Sequence, residues 1–290
     1  MSKEKVLCTG SCGFLGHHLV RRLKDEGYEV IGVDNLSNGD EKYGKDASIF
    51  FVKNVGDLDE YDLEGVRWVF HTAALPRVPY SIEHPLETNE ANVNETLKLL
   101  MLSKQVGVEK VIYSSSSSAY GGQDVFPTHE ECRTVPLSPY AVQKLAAEHY
   151  CEVFRGVFNL PTVSLRYFNI FGEEQRADNP YTGVITKFLA MRDNGQPLTI
   201  FGDGEQRRDF TYVQDVVEAN LLTAKTAEGV FNVGTGENTS VLEIARAISD
   251  FITHVPPRPG DPLLSLADNT KLKKLGWKPS VDVLSWLSSQ

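Results

Sequence analysis

The feature that most constrains this chain lies in its first twenty residues. There "KVLCT" (5–9) runs directly into "GSCGFLGHHLV" (10–20). The first piece reads as a buried strand, and "FLGHHLVRRLKDEG" (14–27) has the apolar spacing of a helix that stops at Gly27. Between them glycines fall at 10, 13 and 16. Each meets a separate need. Gly10 permits a tight turn, Gly13 lets backbone approach a pyrophosphate, and Gly16 lets the helix pack close on the strand. The helix N-terminus then offers unpaired N–H groups and a positive dipole end to the phosphates.

The pattern continues. "EVIGVD" (29–34), "SIFFVK" (48–53), "RWVFH" (67–71), "KVIYSS" (110–115) and "TVSLRY" (162–167) read as strands. Helices are expected over 87–107 and over 138–154, the latter with Ser138 as N-cap and Pro139 in the first turn. Further on, 183–195, 213–225 and 241–252 read as helices and "VFNVG" (230–234) as one more strand. Strands separated by helices imply parallel βαβ units, and apolar strands imply a sheet covered on both faces. The fold class is α/β, a Rossmann-type doubly wound parallel sheet. The tail 256–290 is expected over the sheet's C-terminal edge, where open α/β folds bind ligands.

A net charge of −10 argues against nucleic acid or an anionic membrane as partner. No run reaches the ~18 apolar residues of a membrane span. The chain enters a strand almost at once, so no signal peptide is expected. Cys8, Cys12, Cys132 and Cys151 form no C-x-x-C pair, which suits a reducing, cytoplasmic setting. The seven histidines show no metal-ligand spacing, and no metal is expected. Cys12 reads as a small packing residue, and His17 and His18 as surface or helix-packing residues rather than ligands.

Asp34 ends the second strand, 24 residues after Gly10, where an acid accepts hydrogen bonds from an adenosine ribose. Its carboxylate would repel a 2′-phosphate, so NAD is expected over NADP. The five serines 114–118 continue an apolar strand. A flexible linker there would open the sheet's centre, so Ser114 and Ser115 read as structural and Ser116, Ser117 and Ser118 as hydroxyls facing a pocket. Tyr140 and Lys144, four apart, share one helix face. An ammonium and an oxidised nicotinamide both favour the phenolate, which makes Tyr140 a workable base.

These stretches, with "DNLSNG", "HTAA", "NVNETLKLL", "LRYFNIFG", "IFGDGEQRRDFTYVQDV", "FNVGTG" and "RPGD", resemble the extended short-chain dehydrogenase/reductase family in its nucleotide-sugar epimerase/dehydratase branch. The resemblance implies a Rossmann domain (1–168 plus 209–236), a smaller C-terminal α/β nucleotide-sugar-binding domain (169–208 plus 237–290), and tightly bound NAD. It implies cofactor contacts from Gly10, Gly13, Phe14, Leu15, Gly16, Asp34, Asn35, Asn38, Gly39, Asn54 and Val55. Thr72, Ala73, Ala74, Asn92, Tyr140, Lys144 and Tyr167 complete that set. The implied catalytic residues are Ser116, Tyr140 and Lys144. Implied substrate contacts are Ser116, Ser117, Ser118, Tyr140, Asn169, Thr199, Phe201, Arg208, Arg258 and Ser265, the last as a size gate beside the sugar's C2 substituent. A homodimer through a four-helix bundle, built on 87–107 and 138–154, is also implied.

Within the branch, 4,6-dehydratases carry an Asp–Glu pair where Ser117 and Ser118 stand, and glucuronate decarboxylases a Glu at position 118. The residues that remain match the UDP-sugar 4-epimerases, which oxidise C4 transiently and return the hydride to the opposite face. The chain departs from the family pattern at Asn54 (usually Asp), Glu95 (Gly) and Gln143 (Ser or Thr). Arg77, near the sugar end, leaves an anionic sugar open. Two other readings stand: a UDP-glucuronate 4-epimerase or another nucleotide-sugar epimerase or 4-keto reductase, and a non-catalytic NAD-binding sensor.

Overall fold

The computed structural model describes residues 3–178, 182–257 and 263–290. Seven parallel strands form the central sheet: β1 (Lys5–Thr9), β2 (Glu29–Asp34), β3 (Ile49–Val52), β4 (Val66–His71), β5 (Lys110–Ser116), β6 (Thr162–Tyr167) and β7 (Gly229–Val233). Their order across the sheet is β7-β6-β5-β4-β1-β2-β3. The chain therefore winds outward from β1 in one direction and from β4 in the other, and the C-terminal ends of β1 and β4 flank the point of reversal.

Alternation along each strand divides the core between two faces. Val6 and Cys8 of β1 join Leu19, Leu23, Val216 and Leu221 on one side. Leu7 joins Leu99, Leu100, Ala147 and Phe154 on the other. A third apolar cluster, with Phe171, Phe188, Ile200, Phe210, Ile244 and Trp286, lies beyond the sheet. Short parallel strands Leu198–Phe201 and Ile252–Val255 pair beside it. The expected helix 241–252 stops at Ile248, because β-branched Ile252, Thr253 and Val255 are drawn into that pairing.

The expected helix 87–107 is not continuous. It comprises Pro85–Asn89, a π-helical turn Glu90–Asn94, and Glu95–Val106, which ends at Gly107 in the left-handed conformation (φ 80°). The wide turn lets Asn92 reach the backbone of Leu75, accepting from its N–H at 2.8 Å and donating to its carbonyl at 3.1 Å. The helix Pro139–Val157 begins as expected, with the Ser138 hydroxyl accepting from Ala141 N at 3.2 Å.

The tail also lies over the ligand edge. Ser265 N donates to Arg207 O and Thr128 N to Leu266 O. Asp209 ties the segments together: its buried carboxylate accepts from the backbone N–H groups of Thr235, Gly236 and Ala267. Among the described residues no helix is long and apolar enough to cross a membrane.

The first turn carries the tightest contact. A Cβ at Gly16 would stand 1.9 Å from the carbonyl oxygen of Gly10. Gly16→Ala should therefore destabilise the protein by about 1–3 kcal/mol or more, read from the urea midpoint at unchanged slope. A wild-type midpoint would show that the turn yields freely.

Candidate active site

One cleft of about 1360 Å³ follows the C-terminal edge of the sheet. The glycine turn (Gly10, Gly13, Phe14, Leu15, Gly16) lines one stretch, with Asp34, Asn35, Asn38 and Gly39 from the end of β2. Val55 and the β4 end, Thr72, Ala73 and Ala74, continue the wall, followed by Ser116, Ser117, Ser118, Tyr140, Lys144 and Tyr167. Asn169, Thr199, Phe201, Arg208 and Ser265 close it. The cleft thus brings together nearly every residue expected from sequence.

Two residues depart from expectation. Asn54 is exposed and off the wall, its side chain held by Asp57 and Asn35. Asn92 is buried behind the wall, bonded to Leu75 and to Gln143 Oε1 (2.9 Å). Each bonds a residue that does line it, Asn54 to Asn35 and Asn92 to Leu75. Arg258 lies outside the described residues. Arg77 precedes the helix Val78–Glu83 and is off the wall, whereas Pro76, Val78 and Pro79 are on it.

The glycine turn and Asp34 fit a dinucleotide. A Cβ at Gly13 would meet only Gly10 O, at 3.2 Å, and otherwise open space, so the missing side chain leaves room above the helix N-terminus. Asp34 accepts from Cys12 N (2.9 Å) and Leu36 N (2.8 Å), which fixes the carboxylate and leaves lone pairs for ribose hydroxyls. Cys12 is buried in that turn, a packing residue as expected.

At the other end the serine run is a strand end and a turn. Ser116 closes β5 and caps the 3₁₀ turn Ser117–Tyr120, its hydroxyl accepting from Ser118 N at 3.1 Å. The Ser115 hydroxyl donates to Glu148, inside a buried Glu148–Arg166 ion pair. Ser118 Oγ is buried without a hydrogen-bond partner. Tyr140 and Lys144 come from the first turns of the capped helix, and Tyr140 N donates to Ser81 Oγ at 3.0 Å. Burial pushes the Tyr140 phenol up to about 12, with the Ser116 hydroxyl pulling the other way. Burial holds the Lys144 ammonium down to about 7, and its Nζ donates to Ser114 O at 2.8 Å. His71, behind this end, is buried and lowered to about 3, its ring nitrogens on Thr9 and Thr96 hydroxyls.

Sequence reasoning passes over two supporting residues. Gln143 stands out in the sequence only as a departure from the family pattern. It is buried and bonds Thr88 Oγ1 and Asn92, tying the catalytic helix to the Ala73–Leu75 wall. Asp209 sits between Arg208 and Phe210 in a quoted motif, and its position beside a candidate ligand is the available signal.

A doubly wound parallel sheet, a glycine turn at its switch point and a Ser–Tyr–Lys set on the facing strand end and helix define an extended short-chain dehydrogenase/reductase. Residues 6–234 match the model of the NAD dependent epimerase/dehydratase family. The chain belongs to that family. It is similar to the UDP-N-acetylglucosamine 4-epimerase from Methanobrevibacter ruminantium M1, solved with UDP-N-acetylmuramic acid: 38% identity, TM-score 0.94, 99% of this chain and 97% of that one. It is also similar to the Thermotoga maritima UDP-glucose 4-epimerase solved with UDP-glucose: 37% identity, TM-score 0.93, 98% and 96% coverage. The Thermus thermophilus UDP-glucose 4-epimerase, solved with NAD, aligns at 34% identity and TM-score 0.90, with 98% and 96% coverage.

The depressed Lys144 has a consequence for stability. In the folded, ligand-free protein it loses its proton near pH 7, whereas the unfolded chain keeps it to about 10.4. The unfolded state therefore binds more protons in that window, and wild-type stability should rise with pH from about 7 to 10 relative to Lys144→Met. Denaturant titrations of both proteins across that range check this; parallel curves would mean that Lys144 stays charged in the fold.

Proposed function

We propose that the protein is a UDP-sugar 4-epimerase that keeps NAD as a tightly held catalyst. One observation carries this reading: Ser116, Tyr140 and Lys144 line the same end of the cleft, while Ser117 and Ser118 in the adjoining turn supply hydroxyls and no carboxylate. Elimination and decarboxylation lack their acid–base residues there. Oxidation and reduction at one carbon need only the set that is present.

Bound NAD supplies a hydride acceptor that becomes the donor, together with a positive charge in its oxidised form. Tyr140 then acts as base on the 4-hydroxyl and later as acid on the same oxygen. Ser116 holds that oxygen. Lys144 favours the phenolate while it keeps its proton, and the protonated fraction falls as pH rises above about 7 in the ligand-free fold. Asn169 and Arg208, on the cleft wall, suit the diphosphate, Arg258 is assigned as a second arginine to it, and Thr199 and Phe201 suit the uridine. The third apolar cluster supports assigning the nucleotide-sugar domain to 169–208 plus 237–290, with the Rossmann domain as 1–168 plus 209–236. Four free cysteines fit the cytoplasm.

Turnover of UDP-Glc, UDP-GlcNAc and UDP-glucuronate, with products separated by chromatography, tests the assignment. Conversion to the 4-epimers is expected for the first two. Bound NAD with no turnover of any nucleotide sugar would make the protein a sensor, and turnover of UDP-glucuronate alone would move the substrate to an anionic sugar. Tyr140→Phe should lower kcat on the order of 10²–10⁴-fold with NAD still bound. Near wild-type turnover would reassign the base.

Ser265 lies on the cleft wall, partly buried, with its N–H on Arg207 O. A small side chain there leaves room for a C2 acetamido group. Ser265→Tyr should depress activity on UDP-GlcNAc and UDP-GalNAc and spare UDP-Glc and UDP-Gal; an unchanged ratio would remove the gate.

The helices Glu95–Val106 and Pro139–Val157 leave an apolar stripe exposed, including Met101 (59%), Val142 (51%), Val153 (45%) and Val157 (69%). A second copy covering it would form a four-helix bundle. Light scattering should give a dimer for the wild type and a monomer for Val153→Asp. A monomeric wild type at micromolar concentration would exclude the bundle.

A further inference from the structure

We propose that His17, His18 and Glu174 form a binding site for a divalent transition metal of the zinc class, at the rim of the cofactor cleft. Glu174 lies far from the two histidines in sequence, and histidine spacing alone points to no such site. In the fold, one donor atom from each comes within 4.8 Å of the others. His17 and Glu174 both line the cleft.

The geometry at His17 carries the argument. Its Nδ1 donates to Gly13 O at 2.8 Å, which leaves Nε2 as the bare lone pair. Nε2 is buried, has no hydrogen-bond partner, and faces Glu174 Oε2 at 3.4 Å. A lone pair opposed to a carboxylate oxygen is repulsive unless a cation joins them. A metal ion meets the need: nitrogen and oxygen ligands at roughly 2.0–2.2 Å and tetrahedral angles stand about 3.4 Å apart. The Nδ1–H on a carbonyl is the outer contact that metal-bound imidazoles make, and it sets their orientation.

The surroundings fit. The His17 ring is fixed by stacking on Tyr43, centroids 3.9 Å apart and planes at 6°. His18 Nε2 lies 3.1 Å from Glu173 O, so Nδ1 is the acceptor, now facing Gln214 Nε2 at 2.9 Å. Metal binding exchanges that hydrogen bond for a coordinate bond. Glu174 adopts φ 61°, a left-handed backbone uncommon outside glycine, and this places its carboxylate over the histidines. Arg21 Nη1 bonds the same oxygen, Oε2, and also reaches Asp46; the guanidinium does not bond Nε2 of His17, and Oε2 keeps a lone pair for an ion. The Glu174 side chain is 38% exposed, which gives an ion a route in and leaves a coordination position for water. Imidazole and carboxylate together suit zinc, cobalt or nickel rather than magnesium. A bound ion would staple the segment after Phe171 to the helix that begins the cofactor site.

The test is calorimetric titration of zinc chloride into tag-free, full-length protein, repeated with cobalt and its visible spectrum. We expect one zinc per chain and a tetrahedral cobalt spectrum. His17→Gln and Glu174→Gln should each weaken zinc at least ~10-fold, since even outer contacts to metal ligands are worth that much. Glu174→Gln alters a rim residue and reads the site even if His17→Gln fails to fold. The proposal is overturned by an absence of saturable zinc, or by unchanged zinc affinity in Glu174→Gln.

Discussion

The contact between Gly10 and Gly16 is the one on which the rest of the structure rests. With no side chain at Gly16, the helix Phe14–Asp25 sits directly on the carbonyl of Gly10, and with none at Gly10 (φ 67°) the turn lies against Ala73. The first helix can then start where β1 ends, with its N-terminus at the sheet's switch point. Asp34 bonds the same turn through Cys12 N, so the ends of β1, β2 and β4 are held in one place.

Burial sets the electrostatics of the catalytic end. Tyr140 is raised, Lys144 and His71 are lowered, and all three move toward their neutral forms. With these three groups neutral, a cation that arrives at this end is felt strongly by the phenol. A fixed ion pair sits behind this end. Arg166 and Glu148 are buried as a hydrogen-bonded pair, with Ser115 on the same carboxylate. Such a pair contributes little net stability, but breaking it would leave a buried charge uncompensated, so it holds β5 and β6 in fixed relation to the catalytic helix.

Much of this was legible in the chain. The glycine spacing, Asp34 at the end of β2, and Ser138–Pro139 before Tyr140 are local signals, and local physics decides them. The apolar strands likewise pointed to a sheet covered on both faces. The misreadings have a common cause. Asn92 lies in a good helical pattern, but its side chain bonds a loop seventeen residues away in sequence, and the helix widens to allow it. Residues 249–252 continue a helical period, yet the helix stops at Ile248 and a distant strand captures Ile252. Nor does the spacing of His17 and His18 show that Glu174, from a segment beyond β6, comes beside them. Periodicity reports what a segment prefers alone; it carries no information about a partner far along the chain.

The Asp209 carboxylate bears on the order in which the protein can be made. It accepts hydrogen bonds from residues 26, 27 and 58 positions further along. The first strands and the dinucleotide turn need only early residues, so they can form while the chain is still being synthesised. The wall bearing Arg208 cannot close until residue 267 has left the ribosome. Until then Asp209 can hold only Thr235 and Gly236, and its bond from Ala267 is missing.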